Sequence, residues 1–219
     1  MNDEIILIDK PANMTSFGVV ARVRRVLSHQ AGKKVKVGHC GTLDPFATGL
    51  LILVTGKMTR RAMEFTKLDK VYEAEVVLGQ QSTTGDTEGD ITVVSTTQPT
   101  RQQVEAALAA FNGEITQTPP IFSAIKINGQ RAYKLARDGK EVDIPKRQVT
   151  IYSLEIIDYT YPSLKIRTHV SSGTYIRSLA VDIGAALGTG AYCSALRRTH
   201  IADFSVSEAK TLADFGVEN

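Results

Sequence analysis

The sequence predicts an α+β fold, a mixed and mostly antiparallel central sheet flanked by helices. Three observations predict it. Residues 5–8 and 50–54 are apolar runs of strand length, which read as buried strands. Residues 71–78 alternate, with Tyr72, Ala74, Val76 and Leu78 on one side. Strands and helical periods then follow one another without strict βαβ alternation, which argues against a parallel sheet.

Taken in order, the run at 5–8 ends at Asp9-Lys10-Pro11. Ser16 reads as the N-cap of a helix over 17–28. Val19, Val20, Val23, Val26 and Leu27 fall on one face of that helix, and Arg22 and Arg25 on the other. Residues 33–38 read as a short basic strand, 50–54 as a strand buried on both faces, and 57–67 as a helix. Residues 80–89 are polar and rich in Thr, Gly and Asp, and read as a loop. Thr100 and Gln103 stand in capping-box positions for a helix over 100–111. Asn128-Gly129 marks a tight hairpin turn. A basic helix follows over 131–138, with Gly139 as its C-cap. Residues 146–159 and 164–170 read as paired strands, 175–187 as a helix ended by Gly188, and 191–198 as a last strand.

The chain has 219 residues, of which 42% are hydrophobic, enough for a substantial core. No apolar run approaches the length of a membrane span, and the acidic start Met1-Asn2-Asp3-Glu4 is not a signal peptide. Cys40 and Cys193 are too few for a disulfide framework. A reduced, cytoplasmic setting is expected. No CxxC or clustered His/Cys spacing supports a metal site. No linker, repeat or low-complexity tract divides the chain. The net charge is only +3. Basic residues nevertheless recur in groups: Arg22, Arg24 and Arg25; Lys33, Lys34 and Lys36; Lys57, Arg60 and Arg61; Arg131, Lys134, Arg137 and Lys140; Arg197 and Arg198. Each group alone is an ordinary solvated face. Their recurrence beside Gly-rich segments points to a surface that tracks phosphates.

The most informative segment is Gly38-His39-Cys40-Gly41-Thr42-Leu43-Asp44-Pro45-Phe46-Ala47-Thr48-Gly49. A loop this rich in Gly and Pro makes a poor core element and a good platform for a reactive group. It places one carboxylate, Asp44, near one imidazole, His39.

The segment resembles the catalytic loop of the TruB-type tRNA pseudouridine synthases, Gly-His-x-Gly-x-Leu-Asp-Pro-x-Ala-x-Gly, at every fixed position. Further segments are similar to that family's motifs. They are Leu7-Ile8-Asp9-Lys10-Pro11 with Met14-Thr15-Ser16; Lys70-Val71-Tyr72-Glu73-Ala74 with Thr84-Gly85-Asp86; Pro119-Pro120, Ser123-Ala124 and Lys126; Gly129, Arg131-Ala132-Tyr133 and Ala136-Arg137; Gly173-Thr174-Tyr175-Ile176-Arg177-Ser178-Leu179; and Leu196-Arg197-Arg198-Thr199. The resemblance spans nearly the whole chain. It implies a single catalytic domain over 1–219, without the C-terminal RNA-binding PUA domain that most bacterial members carry.

The implied reaction breaks the N1–C1′ bond of a uridine, turns the base over and joins C5 to C1′, with no cofactor or metal. By resemblance Asp44 is the essential carboxylate, acting either as nucleophile on a carbon or as base toward a sugar proton. Arg177 is expected to pair with Asp44 and keep it charged, since an ionised Asp in a closed pocket is costly alone. Tyr72 is expected to stack on the flipped base and to serve in proton transfer at C5. Tyr175 and Leu196 line the base pocket. His39 admits four readings from its residue type alone: general acid, metal ligand, core histidine or RNA contact. The resemblance assigns it to holding the flipped base. Cys40 is expected to be without a catalytic role. The implied substrate is the uridine at position 55 in the T-arm stem-loop of tRNA, modified by a monomer that needs no guide RNA and no membrane. The rival readings are the same chemistry on another RNA, and a tRNA-binding or folding module.

Overall fold

A computed structural model describes residues 3–123, 126–127, 130–132 and 144–217. In chain order the elements are β1 (Ile5–Lys10), α1 (Ser16–Gln30), β2 (Val37–His39), β3 (Thr48–Thr55), a 3-10 segment (Gly56–Arg61), α2 (Ala62–Thr66), β4 (Lys70–Leu78), β5 (Gln80–Ser82) and β6 (Ile91–Val93). They continue with α3 (Arg101–Ala109), β7 (Gly113–Gln117), β8 (Lys126–Ile127), β9 (Gln130–Arg131), β10 (Arg147–Thr160), β11 (Ser163–Val170), α4 (Ile176–Ala186), β12 (Ala191–Ile201) and β13 (Phe204–Ser205). The fold is α+β. The chain gathers into two compact units, Met1–Glu73 with Leu196–Asn219, and Ala74–Ala195. The chain passes between them inside β4 and inside β12.

The first unit is organised by β3. It pairs antiparallel with β1, from Ile5↔Val54 to Lys10↔Gly49, and its far end pairs with β2. Its first two residues pair in parallel with β12, Arg197↔Thr48 and Arg198↔Gly49, which makes this sheet mixed. Leu51 and Leu53 pack with Ile6, Ile8 and the α1 residues Val19, Val20 and Val23. Leu50, Ile52 and Val54 pack with Cys40, Phe65 and Ile201. The strand is therefore buried on both faces, which is why its sequence is continuously apolar rather than alternating.

The second unit carries an antiparallel arrangement in which β10 lies between β11 and β7. The expected strand pair at 146–159 and 164–170 is this β10–β11 hairpin. The capping box of α3 is also present: Thr100 Oγ1 accepts from Gln103 N at 3.3 Å, and Gln103 Oε1 accepts from Thr100 N at 2.7 Å.

Four local expectations are corrected. The N-cap of α1 is Thr15, whose Oγ1 accepts from Gly18 N at 2.9 Å, and Ser16 lies inside the helix. Ser and Thr are both favoured caps, Ser somewhat more so, and here the tertiary demand on Ser16 decides for Thr15. Only Val37–His39 of the basic segment is strand, because Lys33 and Lys34 are exposed and only Val35 and Val37 are buried. The helix at 57–67 is a 3-10 segment followed by the short α2. The polar stretch at 80–89 opens with β5, which pairs with β6. The hairpin turn at 128–129 and the basic helix at 131–138 with Gly139 lie outside the described residues, apart from Arg131 and Ala132; β8 and β9 pair antiparallel on either side of 128–129.

Gly184, inside α4, leaves no room for a side chain. A Cβ there would lie 2.3 Å from Ala191 N and 2.4 Å from Gly190 C, at the start of β12. Gly184→Ala should therefore lower stability by at least about 1 kcal/mol, although helix propensity alone favours Ala by roughly that amount. Urea unfolding measures the sign.

Candidate functional site

The Asp44 loop, residues 40–47, connects β2 to β3 in the first unit. Three buried polar side chains from other segments hold its main chain. Lys10, at the end of β1, is fully buried. Its Nζ donates to Pro11 O and Met14 O at 2.7 Å each, and to Pro45 O, the carbonyl of the residue after Asp44, at 3.1 Å. Ser16 Oγ accepts from Leu43 N at 2.8 Å and donates to Leu43 O at 3.0 Å, which clamps the residue before Asp44. Arg198, 1% exposed, donates from Nη2 to Gly41 O at 3.2 Å and from Nε to Leu50 O at 2.8 Å. Within the loop, Ala47 N donates to Asp44 O at 3.2 Å. Gly49, at φ +103°, lets β3 approach Arg198 so closely that a Cβ would lie 2.3 Å from Arg198 O. Asp44 is thus carried by a loop whose neighbouring peptides are fixed on both sides.

The other expected residues of this unit lie on its strands. His39 ends β2 opposite Leu53. Tyr72 lies on β4 and Leu196 on β12, each 8% exposed. Leu196 O accepts from Thr48 Oγ1, at the start of β3, at 3.5 Å.

Arg198 does not contribute to a phosphate surface. Arg198 is buried as described, and Arg197 makes a two-pronged ion pair with Asp9, at 2.7 and 3.1 Å. Cys40 is fully buried in the apolar cluster behind β3, and burial pushes its thiol up to about 11. A thiol so protonated is a poor nucleophile at neutral pH, in keeping with the expectation of no catalytic role. Lys70 is also buried. Its ammonium donates to Thr66 O at 2.6 Å and to Leu68 O, and burial, with Arg198 nearby, pulls it down to about 8.

In the second unit, Tyr175 and Arg177 stand at the start of α4. Arg177 is 3% exposed and pairs with Asp86 at 2.9 Å. It also donates to Thr84 O at 3.0 Å and Phe122 O at 2.8 Å. Asp86 Oδ1 accepts from Thr84 Oγ1 at 2.5 Å and from Glu88 N at 2.9 Å. Asp86, which holds Arg177, is a residue that sequence reasoning did not single out, although Thr84-Gly85-Asp86 was among the motifs. Tyr175 is held by Gln117, which is fully buried: Tyr175 N donates to Gln117 Oε1 at 2.8 Å, and Gln117 Nε2 donates to Tyr175 O at 3.0 Å. The Arg147 guanidinium lies 5.3 Å over the Tyr175 ring, and Arg147 Nη1 donates to Gly173 O at 3.1 Å. The arrangement can steady an aromatic ring and the arginine two residues after it. Among the described residues, no group of three or more His, Cys, Asp or Glu could hold a metal ion, and no helix is long and apolar enough to cross a membrane.

Residues 24–176 match the TruB family pseudouridylate synthase N-terminal domain, and residues 177–217 the tRNA pseudouridylate synthase B C-terminal domain. The chain is 46% identical to the tRNA pseudouridine synthase B of Azoarcus sp. (strain BH72), over 96% of this chain and 68% of that protein. It is 44% identical to the tRNA pseudouridine synthase B of Phocaeicola vulgatus, over 97% of this chain and 91% of that protein. Among solved structures it resembles a chain of a Cbf5-Nop10-Gar1 complex, with a TM-score of 0.73 and 31% identity, over 95% of this chain and 52% of that one. It thus spans about half the length of that solved chain.

Two outcomes are expected from this geometry. Ser16→Ala leaves the buried amide of Leu43 without its acceptor and should cost about 1–3 kcal/mol in urea unfolding. For Lys70, the folded value of about 8 lies below the unfolded 10.5. The unfolded state therefore binds more protons between those values, and this group makes stability rise with pH from about 8. Cys40 acts in the opposite direction above its unfolded value of 9.0. Urea unfolding across pH 8 to 9 should thus show a rise that Lys70→Met removes.

Proposed function

The chain belongs to the TruB family of pseudouridylate synthases, and on that premise we propose that it converts the uridine at position 55 in the T arm of tRNA to pseudouridine. It acts as a stand-alone protein, with residues 1–219 as the catalytic domain. The reaction breaks N1–C1′, rotates the freed uracil, forms C5–C1′ and transfers the C5 proton to solvent while N1 takes one up. The nucleotide's composition does not change, so no oxidant, reductant or second substrate is needed.

The observation that carries this reading is the braced Asp44 loop. Lys10, Ser16 and Arg198 fix the peptides at 41, 43 and 45, so the carboxylate between them is presented at a set position. Catalysis by one carboxylate depends on such positioning, since a displacement of about 1 Å can cost 100-fold in rate. Asp44 serves as the essential carboxylate and Arg177 as the partner that keeps it ionised. Tyr72 stacks on the flipped uracil and shares in proton transfer at C5. Tyr175 and Leu196 line the base pocket, and His39 keeps the extruded base in place. Recognition rests on stem-loop shape and phosphate contacts with one base out of the stack. The higher identity to the two tRNA pseudouridine synthase B proteins than to the Cbf5 chain favours tRNA without a guide RNA.

The test is tritium release from C5-tritiated uridine in a T-arm stem-loop. The unsubstituted protein should release tritium. Asp44→Asn should release none while still binding the stem-loop, because the carboxylate acts on a nucleotide already bound and flipped. A retained rate in Asp44→Asn would sink the assignment.

A further inference from the structure

Residues 11–43 contain six Lys and Arg and not one Asp or Glu. With a net charge of +3 for the whole chain, the remaining residues are together net −3. The positive balance of this protein is therefore concentrated in one segment, whose centre is α1 and whose end is the Asp44 loop. The segment reaches that loop physically as well as in sequence, because Ser16, in the first turn of α1, clamps Leu43.

The outward side of α1 has an unusual make-up. Val19, Val20 and Val23 turn inward to the core. At 3.6 residues per turn, Ala21, Arg25, Ser28 and His29 form the opposite stripe, with Phe17 and Arg24 along one edge and Arg22 along the other. Phe17 is 62% exposed, one residue from the clamp on the Asp44 loop, and the Arg24 guanidinium lies 5.9 Å over its ring. Arg25 is exposed, as are Lys33 and Lys34 just beyond the helix. An aromatic ring among arginines, with no acid nearby in the sequence, is the composition that binds RNA: bases stack on the ring and phosphates take the cations.

We propose that the outer face of α1 is an RNA track leading away from Asp44, in which Phe17 stacks on an unpaired base of the bound loop and Arg24, Arg25 and the lysines after the helix follow the flanking phosphates. The helix has 15 residues and so is about 22 Å long, enough to run beside several phosphates. The inference rests on the RNA-modifying reading above and adds to it the surface that holds the RNA beyond the reacting nucleotide.

Anisotropy of a labelled T-arm stem-loop, titrated with the whole protein from about 50 to 200 mM salt, tests it. Arg24→Gln/Arg25→Gln should weaken binding about tenfold or more and flatten the slope of log affinity against log salt by about 1.4 to 1.8. Phe17→Ala should weaken binding about fivefold or more with the salt slope unchanged. In the tritium assay KM should rise in proportion while kcat at saturating RNA holds. Arg101→Gln/Lys165→Gln removes two exposed charges from the second unit and should leave affinity within about twofold. Unchanged affinity in both α1 variants overturns the track, as does an equal loss in the Arg101/Lys165 control. No binding by the unsubstituted protein overturns the functional reading, and the track with it.

Discussion

Two buried cations, Lys10 and Arg198, hold the Asp44 loop by its main chain, and the path of that loop depends on that grip. Taking an ammonium and a guanidinium out of water costs several kcal/mol each unless their protons are satisfied. Here Lys10 donates to three carbonyls, and Arg198 to two. Hydrogen bonds to charged groups are worth about 1.5–3 kcal/mol, so the contacts offset much of that cost while fixing the chain path. A Gly- and Pro-rich loop has little apolar surface with which to order itself. Cations reaching in from β1 and β12 order it from outside, and Ser16 completes the clamp from α1.

The second unit uses the same device at the start of α4. Gln117 pairs with both main-chain groups of Tyr175, and Arg147 covers the ring. Arg177 is fixed by a carboxylate and two carbonyls. Asp44 in the first unit and Tyr175 in the second each sit outside helix and strand, on segments whose peptide groups are held by buried side chains from elements distant in sequence. Buried polar side chains of this kind specify one arrangement, because any shift leaves an amide or a charge unsatisfied.

Much of this was legible in the sequence, and the exceptions share a cause. The double-sided burial of β3 and the alternation of β4 follow from periodicity, which is a property of the element itself. The capping box of α3 is likewise local. Ser16 was read as a cap because its local chemistry allows it, whereas its role is set by Leu43, 27 residues away. Arg197 and Arg198 read as a surface pair, whereas Asp9 and the carbonyls of Gly41 and Leu50 take them. Asp86 enters the sequence reading only within the Thr84-Gly85-Asp86 motif, because a lone acid in a Thr/Gly turn looks like turn chemistry until Arg177 is seen to reach it. Charge is the weakest single-sequence signal here, since burial decides whether a cation serves water, phosphate or the protein's own backbone.

The segment from Asp9 to Leu43 shows how the two uses of charge coexist. Its inward positions, Lys10, Ser16 and the α1 valines, are committed to the core and the loop. Its outward positions carry arginines and lysines without a single acid among residues 11–43. An acid placed there would gain an i,i+4 partner worth only about 0.2–0.5 kcal/mol. It would also cancel charge beside the loop that presents Asp44. The absence of acids is thus a small loss for the helix and a gain for any anion approaching that loop. Because Ser16 ties α1 to Leu43, a shift of the helix on its valine face would move the loop as well. Core packing, loop geometry and surface charge in this segment therefore bear on one another through a single clamp.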